Sequence, residues 1–546
     1  MDRLLLAQER LDGEKRRGLW PDRVITDYLD RWLAEKPEAC ALVSWREETQ
    51  SVVRLTYREL AERAAAAARV LAACGVARGE VVSFQLPNCW QFVAAHLACV
   101  RLGAVSNPLM PIFRHRELSF MLRHGDARVL IAPSMFRGFD HGALARQLQG
   151  ELQGLARVLV TDCSGENSFE AALAGAEGAP CARGARLEPN DVMQLLYTSG
   201  TTGEPKGALH TSNTLLSAVR EYAKRMQIGA DDVIFMPSPL GHQLGFCYGL
   251  QMALMLGIPL VLTDVWNPER ALDLMREHGA TFTFGATPFL ADLASAHDVA
   301  RRRPPRLRMF ASSGAPIPPA VVQAARTRLK VAVATCWGMT ECASVTITPP
   351  NEHKVLESDG CTLPNGEVRI LATDGREAPR GTVGALQVRG SSLFVGYLKR
   401  PELSRLDEGG WFDTGDLARM DDEGYIRICG RSKDVIIRGG ENIPVVEIES
   451  ALYRIPAVAD AAVVAMPDPR LQERACAFVT LRPGTRLSLA DICQHLAAEG
   501  FSKHFWPERL EVIETMPRTA TGKIQKFVLR ETAKQIAPQG GAAVNF

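Results

Sequence analysis

From Thr56 onward the sequence alternates helix signals with strand signals, and that alternation narrows the available folds more than any other feature. Thr56 and Glu59 form a capping box, and Gly75 stands where a C-terminal glycine ends the helix. Val81-Val82-Ser83-Phe84 follows as a strand. A helix near Trp90 to Leu102 leads to the strand Ala104-Val105-Ser106, and one near Glu117 to Arg123 leads to Val129-Leu130-Ile131. Similar alternation returns from Asn213 to about Val333. Repeated units of this kind predict an α/β fold with mainly parallel, doubly wound sheets.

The texture changes between about Gly360 and Ile428. Short strands such as Val368-Arg369-Ile370-Leu371 and Ala385-Leu386-Gln387-Val388 are separated by turns at Asp374-Gly375 and Gly381, which reads as a small β unit. Beyond Arg431-Ser432-Lys433-Asp434 the pattern is that of a compact α+β tail. It has a helix near Val446 to Arg454, strands Ala461-Ala462-Val463-Val464 and Ala475-Cys476-Ala477-Phe478, a helix near Ala490 to Glu499, and a last helix after Gly522. A chain of 546 residues has room for this. The expected division is a large domain over 1–432, with a β-rich subdomain at about 360–430, and a small α+β domain over 433–546.

Composition excludes several classes. A net charge of +1 with no basic block argues against a nucleic-acid surface. The thirteen cysteines are scattered without C-x-x-C, and no H-E-x-x-H occurs, so neither a disulfide framework nor a structural zinc is expected. That pattern, with only Leu4-Leu5-Leu6-Ala7 as an apolar run near Met1, suggests a reducing, cytoplasmic setting. Leu244 to Thr263 has Gln251 as its one strongly polar side chain, but Gly245, Gly249, Gly257 and Pro259 interrupt it. A buried helix to about Leu256 and a strand Leu260-Val261-Leu262 explain it better than a membrane span.

The chemistry concentrates first in Tyr197-Thr198-Ser199-Gly200-Thr201-Thr202-Gly203-Glu204-Pro205-Lys206-Gly207, directly after the apolar run Val192 to Leu196. Glycines let backbone N–H groups converge, hydroxyls add donors, and Lys206 brings a positive charge, as a polyphosphate requires. The order is not that of a P-loop, and Pro205 disfavours passing straight into a helix.

This loop resembles the signature loop of the adenylate-forming superfamily, which includes acyl-CoA synthetases, peptide-synthetase adenylation domains and luciferases. The resemblance extends from about Asp22 to Leu529, through several motifs in family order. It makes 1–432 an AMP-binding, adenylating domain and implies an AMP-forming acid:thiol ligase that uses ATP, Mg2+ and coenzyme A. Thr198, Ser199, Gly200, Thr201, Thr202, Gly203 and Lys206 would then grip the phosphates.

Further roles follow from the same resemblance. Cys336-Trp337-Gly338-Met339-Thr340-Glu341, after the β-rich run Val331 to Thr335, would meet the nucleotide, with Trp337 on adenine in place of the usual Tyr. Thr340 would face the α-phosphate, and Glu341 with Thr198 would hold Mg2+. Ser313-Gly314-Ala315-Pro316 would border adenine and the acyl group. Asp416, in Thr414-Gly415-Asp416, would take the ribose hydroxyls, because a carboxylate can accept from two adjacent donors, with Arg431 beside it. Lys433 would be the hinge of the small domain. Gly439-Gly440-Glu441-Asn442 would approach coenzyme A. Lys523, in Pro517-Arg518-Thr519-Ala520-Thr521-Gly522-Lys523, would neutralise the carboxylate and α-phosphate as they meet.

His242, Ala286, Thr287, Pro288, Ser313, Gly314 and Gly338 are expected near the acyl group, although His242 reads equally as a packed structural residue. These segments look most like those of short- and medium-chain fatty acid and cyclohexanecarboxylate CoA ligases. The expected acid is therefore an apolar fatty, alicyclic or aromatic one, and free coenzyme A the acceptor. A carrier-protein loader and a catalytically silent nucleotide-binding relative are the alternatives. Monomer and homodimer both remain open.

Overall fold

The computed structural model describes residues 5–176, 186–198, 205–313, 317, 319–350, 353–404, 406–432, 434–438, 441–518 and 524–536. Among these, two large sheets carry the α/β part. The nine-stranded sheet runs in the order Cys361–Thr362, Ala343–Ile347, Ala332–Met339, Met309–Ser313, Phe282–Ala286, Ile234–Met236, Leu260–Thr263, Cys40–Arg46, Ser51–Thr56. Its middle strands, Ala332–Met339 through Cys40–Arg46, are parallel, and both edges turn antiparallel. The seven-stranded sheet runs Gly396–Tyr397, Lys206–Thr211, Val192–Thr198, Val105–Pro108, Val81–Phe84, Ala127–Pro133, Arg157–Thr161. It too is parallel except for its first two pairings.

The layers follow from alternation along each strand, since successive side chains point to opposite faces. Val82 and Phe84 join a central core with Ile234, Met236, Leu260 and Leu262 of the other sheet, and helices fill the space between. Val81, Val105 and Leu130 face the opposite way, onto the helices His115–His124 and His141–Glu151. Trp90–Leu102 shows why a helix enters the middle layer: it is mostly apolar on every side, and apart from Arg101 its side chains, Gln91 and His96 included, are buried. The capping box of Thr56 and Glu59 forms as expected, opening the helix Tyr57–Ala73.

The apolar stretch after Leu244 lies in that same middle layer. Its helix is less regular than the sequence suggests: an α-turn Gln243–Gly245, a π-helical turn Phe246–Gln251, then Met252–Leu256. It stops at Gly257, at φ 71°, where a Cβ would lie 2.5 Å from the Trp32 ring. Among the described residues, no helix is long and apolar enough to cross a membrane.

The β unit is a four-stranded antiparallel sheet, Gly366–Leu371, Gly384–Gly390, Phe412–Met420 and Ile426–Arg431. The tail has a five-stranded sheet in which Gln472–Leu481 is flanked by Val458–Asp468 and Arg509–Val512. Ala461 and Val463 face Val445–Leu452 and Leu489–Ala498, whereas Ala462 and Val464 face Lys526–Ile536. Burial on both faces explains why these strands read as unbroken apolar runs. An Arg530–Asp434 ion pair ties the last helix to the start of the tail, and Arg419 Nη1 lies 3.6 Å from Glu447 across to the β unit.

Candidate active site

The strand Val192–Thr198 and the strand Lys206–Thr211 form an antiparallel pair with Thr198 opposite Lys206. The expectation that the chain after Pro205 does not enter a helix is met by this strand. Thr198 Oγ1 donates to the Lys206 carbonyl at 3.4 Å. A Cβ on Gly207 would stand 2.6 Å from Leu195 Cδ1, so that methyl would have to move to admit a side chain. Ser199, Gly200, Thr201, Thr202 and Gly203 lie outside the described residues.

Lys206 Nζ donates to the Tyr397 hydroxyl at 3.2 Å and sits 4.6 Å above the centre of that ring. The same hydroxyl donates a short hydrogen bond to the Glu341 carboxylate. Both Tyr397 and Glu341 are nearly enclosed, at 5% and 4% exposed. The turn bearing Glu341 is held by its backbone as well: Phe394 N–H donates to the Glu341 carbonyl at 2.7 Å, and His210 Nε2 donates to the Thr340 carbonyl at 2.7 Å. Burial pushes His210 down to about 4, so it is neutral, and its Nδ1 pairs with Thr214 Oγ1 at 3.1 Å. Sequence reasoning passed over Tyr397 and His210. Val395-Gly396-Tyr397 carries no charge pattern, and Tyr397 reaches Lys206 across 191 positions.

The strand Ala332–Met339 runs on through Cys336 and Trp337 and then turns back into Ala343–Ile347, with a bulge between Trp337 and Gly338. That bulge brings backbone so close that a Cβ on Gly338 would meet the Ala343 carbonyl oxygen at 2.0 Å. Trp337 is 8% exposed and packs with Ala208, Phe394, Tyr397 and Phe412. Its indole N–H donates to Asp416 Oδ2 at 2.9 Å, while Arg431 Nε donates to Asp416 Oδ1 at 3.1 Å. Asp416 and Arg431 are register partners on adjacent strands of the β unit, which is how a T-G-D turn and a G-R pair meet. Met339 packs partly buried against the same apolar cluster.

A second row of expected residues stands at the carboxyl ends of three neighbouring parallel strands. Gly285 lies opposite Ser312, Ala286 opposite Ser313, and Ser313 opposite Cys336. Carboxyl edges of open α/β sheets are where ligands bind. Thr287 is buried, with Oγ1 3.5 Å from Ser312 Oγ, and Pro288 occupies the first turn of Thr287–Ser295. His242 caps the short Gln243–Gly245 turn: its Nδ1 accepts from Leu244 N–H at 3.3 Å. A Cβ on Gly285 would meet Phe289 at 3.0 Å, and one on Gly241 would meet Met110 Sδ at 3.4 Å, so apolar side chains fill the space these glycines leave.

Gly314, Ala315, Pro316, Lys433, Gly439, Gly440 and Lys523 fall outside the described residues. Around them, Glu441 lies in the strand Glu441–Ile443 opposite Arg438, with Asn442 opposite Ile437, and Arg518 makes a β-bridge with Ile524.

A family model described as AMP-binding enzyme matches residues 29–398, and one described as AMP-binding enzyme C-terminal domain matches 447–523. The chain is 34% identical over 536 residues to a medium-chain fatty-acid–CoA ligase of Escherichia coli (strain K12), covering 97% of this chain and 94% of that one. It is 32% identical over 540 residues to a salicylyl-CoA synthase / salicylate adenylyltransferase of Streptomyces sp, covering 96% and 97%. Among solved structures, an anthranilate CoA ligase in complex with anthranoyl-AMP superposes with a TM-score of 0.85 at 26% identity, covering 94% of this chain and 98% of that one.

Proposed function

The chain belongs to the AMP-binding enzyme family, and from that premise we propose that its acid is an uncharged, apolar monocarboxylate, a short- to medium-chain fatty acid or a single alicyclic or aromatic ring. The enzyme is an AMP-forming acid:CoA ligase. It uses ATP and coenzyme A as substrates. The observation that carries the choice of acid is the set of small, uncharged residues Gly285, Ala286 and Ser313 at the carboxyl edge, with Gly241 in the loop after Ile234–Met236, backed by Met110 and Phe289. Such a lining favours apolar fit over ion pairing. Medium-chain fatty acids, salicylate and anthranilate, named for the relatives above, fit a site of that character.

The division of labour we assign follows from charge. A carboxylate is a poor acyl donor, and transfer to the α-phosphate of ATP gives a mixed anhydride whose leaving group is AMP. The first half-reaction joins the acid to AMP with loss of pyrophosphate. In the second, the coenzyme A thiol attacks the acyl carbon and AMP leaves. Two anions must approach in the first step, so Lys206 and Lys523 supply positive charge where they converge. Thr198, with Ser199 to Gly203, holds the phosphates. Cys336, Gly338, Met339 and Thr340 border the nucleotide, and Asp416 and Arg431 take the ribose. Gly439, Gly440, Glu441 and Asn442 receive coenzyme A.

Mg2+ fits this donor set. It prefers oxygen ligands, keeps several waters, and is usually carried by one or two carboxylates plus substrate phosphates. Glu341 with the Thr198 hydroxyl matches that need, and the buried Tyr397 hydroxyl already orients the Glu341 carboxylate. When bound, the ion would neutralise developing phosphate charge. Residues 433–546 would act as a unit hinged at Lys433, and a cytoplasmic enzyme fits the free cysteines among the described residues.

The test is a panel of acids from acetate to decanoate, with cyclohexanecarboxylate, benzoate, salicylate, malonate and an amino acid. Pyrophosphate exchange reports the first half-reaction, and mass spectrometry of CoA esters reports the second. The highest kcat/KM is expected with a fatty or single-ring acid. A higher value with malonate or an amino acid overturns the proposed acid class. Exchange without any CoA ester would favour a carrier-protein acceptor.

A further inference from the structure

We propose that Tyr397 is a positioning residue that keeps Lys206 and Glu341 apart, so that the triphosphate of ATP meets a lysine not paired with that carboxylate. The inference rests on the nucleotide-site reading given above. Tyr397 stands on the edge strand next to Lys206–Thr211, opposite Ala208. Its hydroxyl accepts from Lys206 Nζ at 3.2 Å and donates to Glu341, so one neutral group is interposed between opposite charges.

The phenol is fixed from several sides. Its ring packs edge-on against Phe394 at 4.7 Å and 70°, and its backbone N–H donates to Ser404 Oγ at 2.7 Å. The backbone at Glu341 is tied to the same segment, since Phe394 N–H donates to the Glu341 carbonyl at 2.7 Å, while the carboxylate itself is held by the Tyr397 hydroxyl. One short segment, Phe394 to Tyr397, therefore positions both the carboxylate and the lysine.

The physical consequence concerns what ATP must displace. Lys206 and an enclosed Glu341 would attract each other strongly, since water screens them little. A direct ion pair would have to break before Lys206 could serve a phosphate. Exchanging the contact with the neutral Tyr397 hydroxyl and ring costs less than breaking a Lys206–Glu341 pair would, because cation–π and neutral contacts are weaker than a buried charge pair. Tyr397 thus keeps the lysine ordered without committing it to the carboxylate.

The test is ATP binding by calorimetry in the presence of EDTA, on the full-length protein, as a double-mutant cycle. Tyr397→Phe keeps the ring and removes the hydroxyl, letting Lys206 and Glu341 pair. Its ATP Kd is expected to rise about tenfold, with KM for acid and coenzyme A staying within about twofold. Glu341→Gln removes the competing charge, and its gain in ATP affinity should be at least about fivefold larger with Phe at 397 than with Tyr. A purely structural phenol would leave the two gains equal, and equal gains overturn the proposal. Tyr397→Gln keeps a donor and an acceptor without the ring. It is expected to bind ATP more tightly than Tyr397→Phe, and equal or weaker binding also overturns the proposal. No ATP binding by the parent protein would overturn the nucleotide-site reading itself, whereas binding without coupling rejects the role of Tyr397 alone.

Discussion

The indole N–H of Trp337 donates to Asp416 Oδ2 at 2.9 Å, joining the end of a nine-stranded sheet strand to the separate β unit. Arg431 holds the other oxygen, Oδ1, at 3.1 Å. The carboxylate is therefore locked in one orientation while each oxygen keeps a second lone pair for a ligand hydroxyl. A tyrosine at 337 has its donor on a different ring position and would not reproduce that contact.

Trp337→Phe should consequently weaken nucleotide binding more than acid binding. Losing one donor to a buried charged acceptor costs about 1–3 kcal/mol. The expected result is a KM for ATP raised about tenfold, with KM for the acid changed less than about threefold. The ATP dependence of pyrophosphate exchange measures this, and an unchanged KM for ATP would show that Asp416 does not need the indole.

Lys523→Ala should cripple adenylate formation and spare thioester formation from supplied acyl-adenylate. Lys523 is proposed to act only where carboxylate and phosphate converge, so its loss falls on one transition state. A drop of about 100-fold or more in pyrophosphate exchange is expected. Equal loss in both half-reactions would remove Lys523 from the role assigned here.

Stability should fall as the solution is acidified below pH 6.5. His96 is buried between Ser106 and Gln251, and burial pushes it down to about 3 from the ordinary 6.5. Above 6.5 the folded and unfolded chains are both neutral at this residue. Between 6.5 and about 3 only the unfolded chain takes up the proton, so folding loses about 1.4 kcal/mol per pH unit from this residue. His141 and His210, each at about 4, steepen the same slope. His96→Gln should flatten urea-unfolding stability between pH 6 and 4 by about that amount per unit. An unaltered slope would mean that His96 titrates normally in the fold.

Much of the architecture was legible because its signals are local. A capping box spans Thr56 to Glu59, and a C-terminal glycine follows at Gly75, both within reach of one helical turn. The helix near Trp90 to Leu102 and the strand Val81–Phe84 were read in place, and the structure adds that each face of that strand has a partner layer. The β unit and the α+β tail were likewise readable from turn spacing and strand length. The pairing of Asp416 with Arg431 was within reach too, because their strands are neighbours in sequence and in the sheet.

By itself, then, the sequence determined the class of fold, the order of its elements, and the loops where charge and small residues gather, since periodicity and capping act over a few residues. Tertiary structure alone decided what those residues touch. The π-helical turn at Phe246–Gln251 arises inside a glycine-interrupted apolar stretch that reads as one helix. Nothing local to Trp337 told that it would share an apolar cluster with Phe394, Tyr397 and Phe412 or aim its N–H at Asp416. Tyr397 meets Lys206 and Glu341 only because the register of an edge strand sets Tyr397 opposite Ala208, and the turn after Met339 is pinned by His210 and Phe394. Those contacts depend on how distant strands align, and strand register is set by the packing of whole layers.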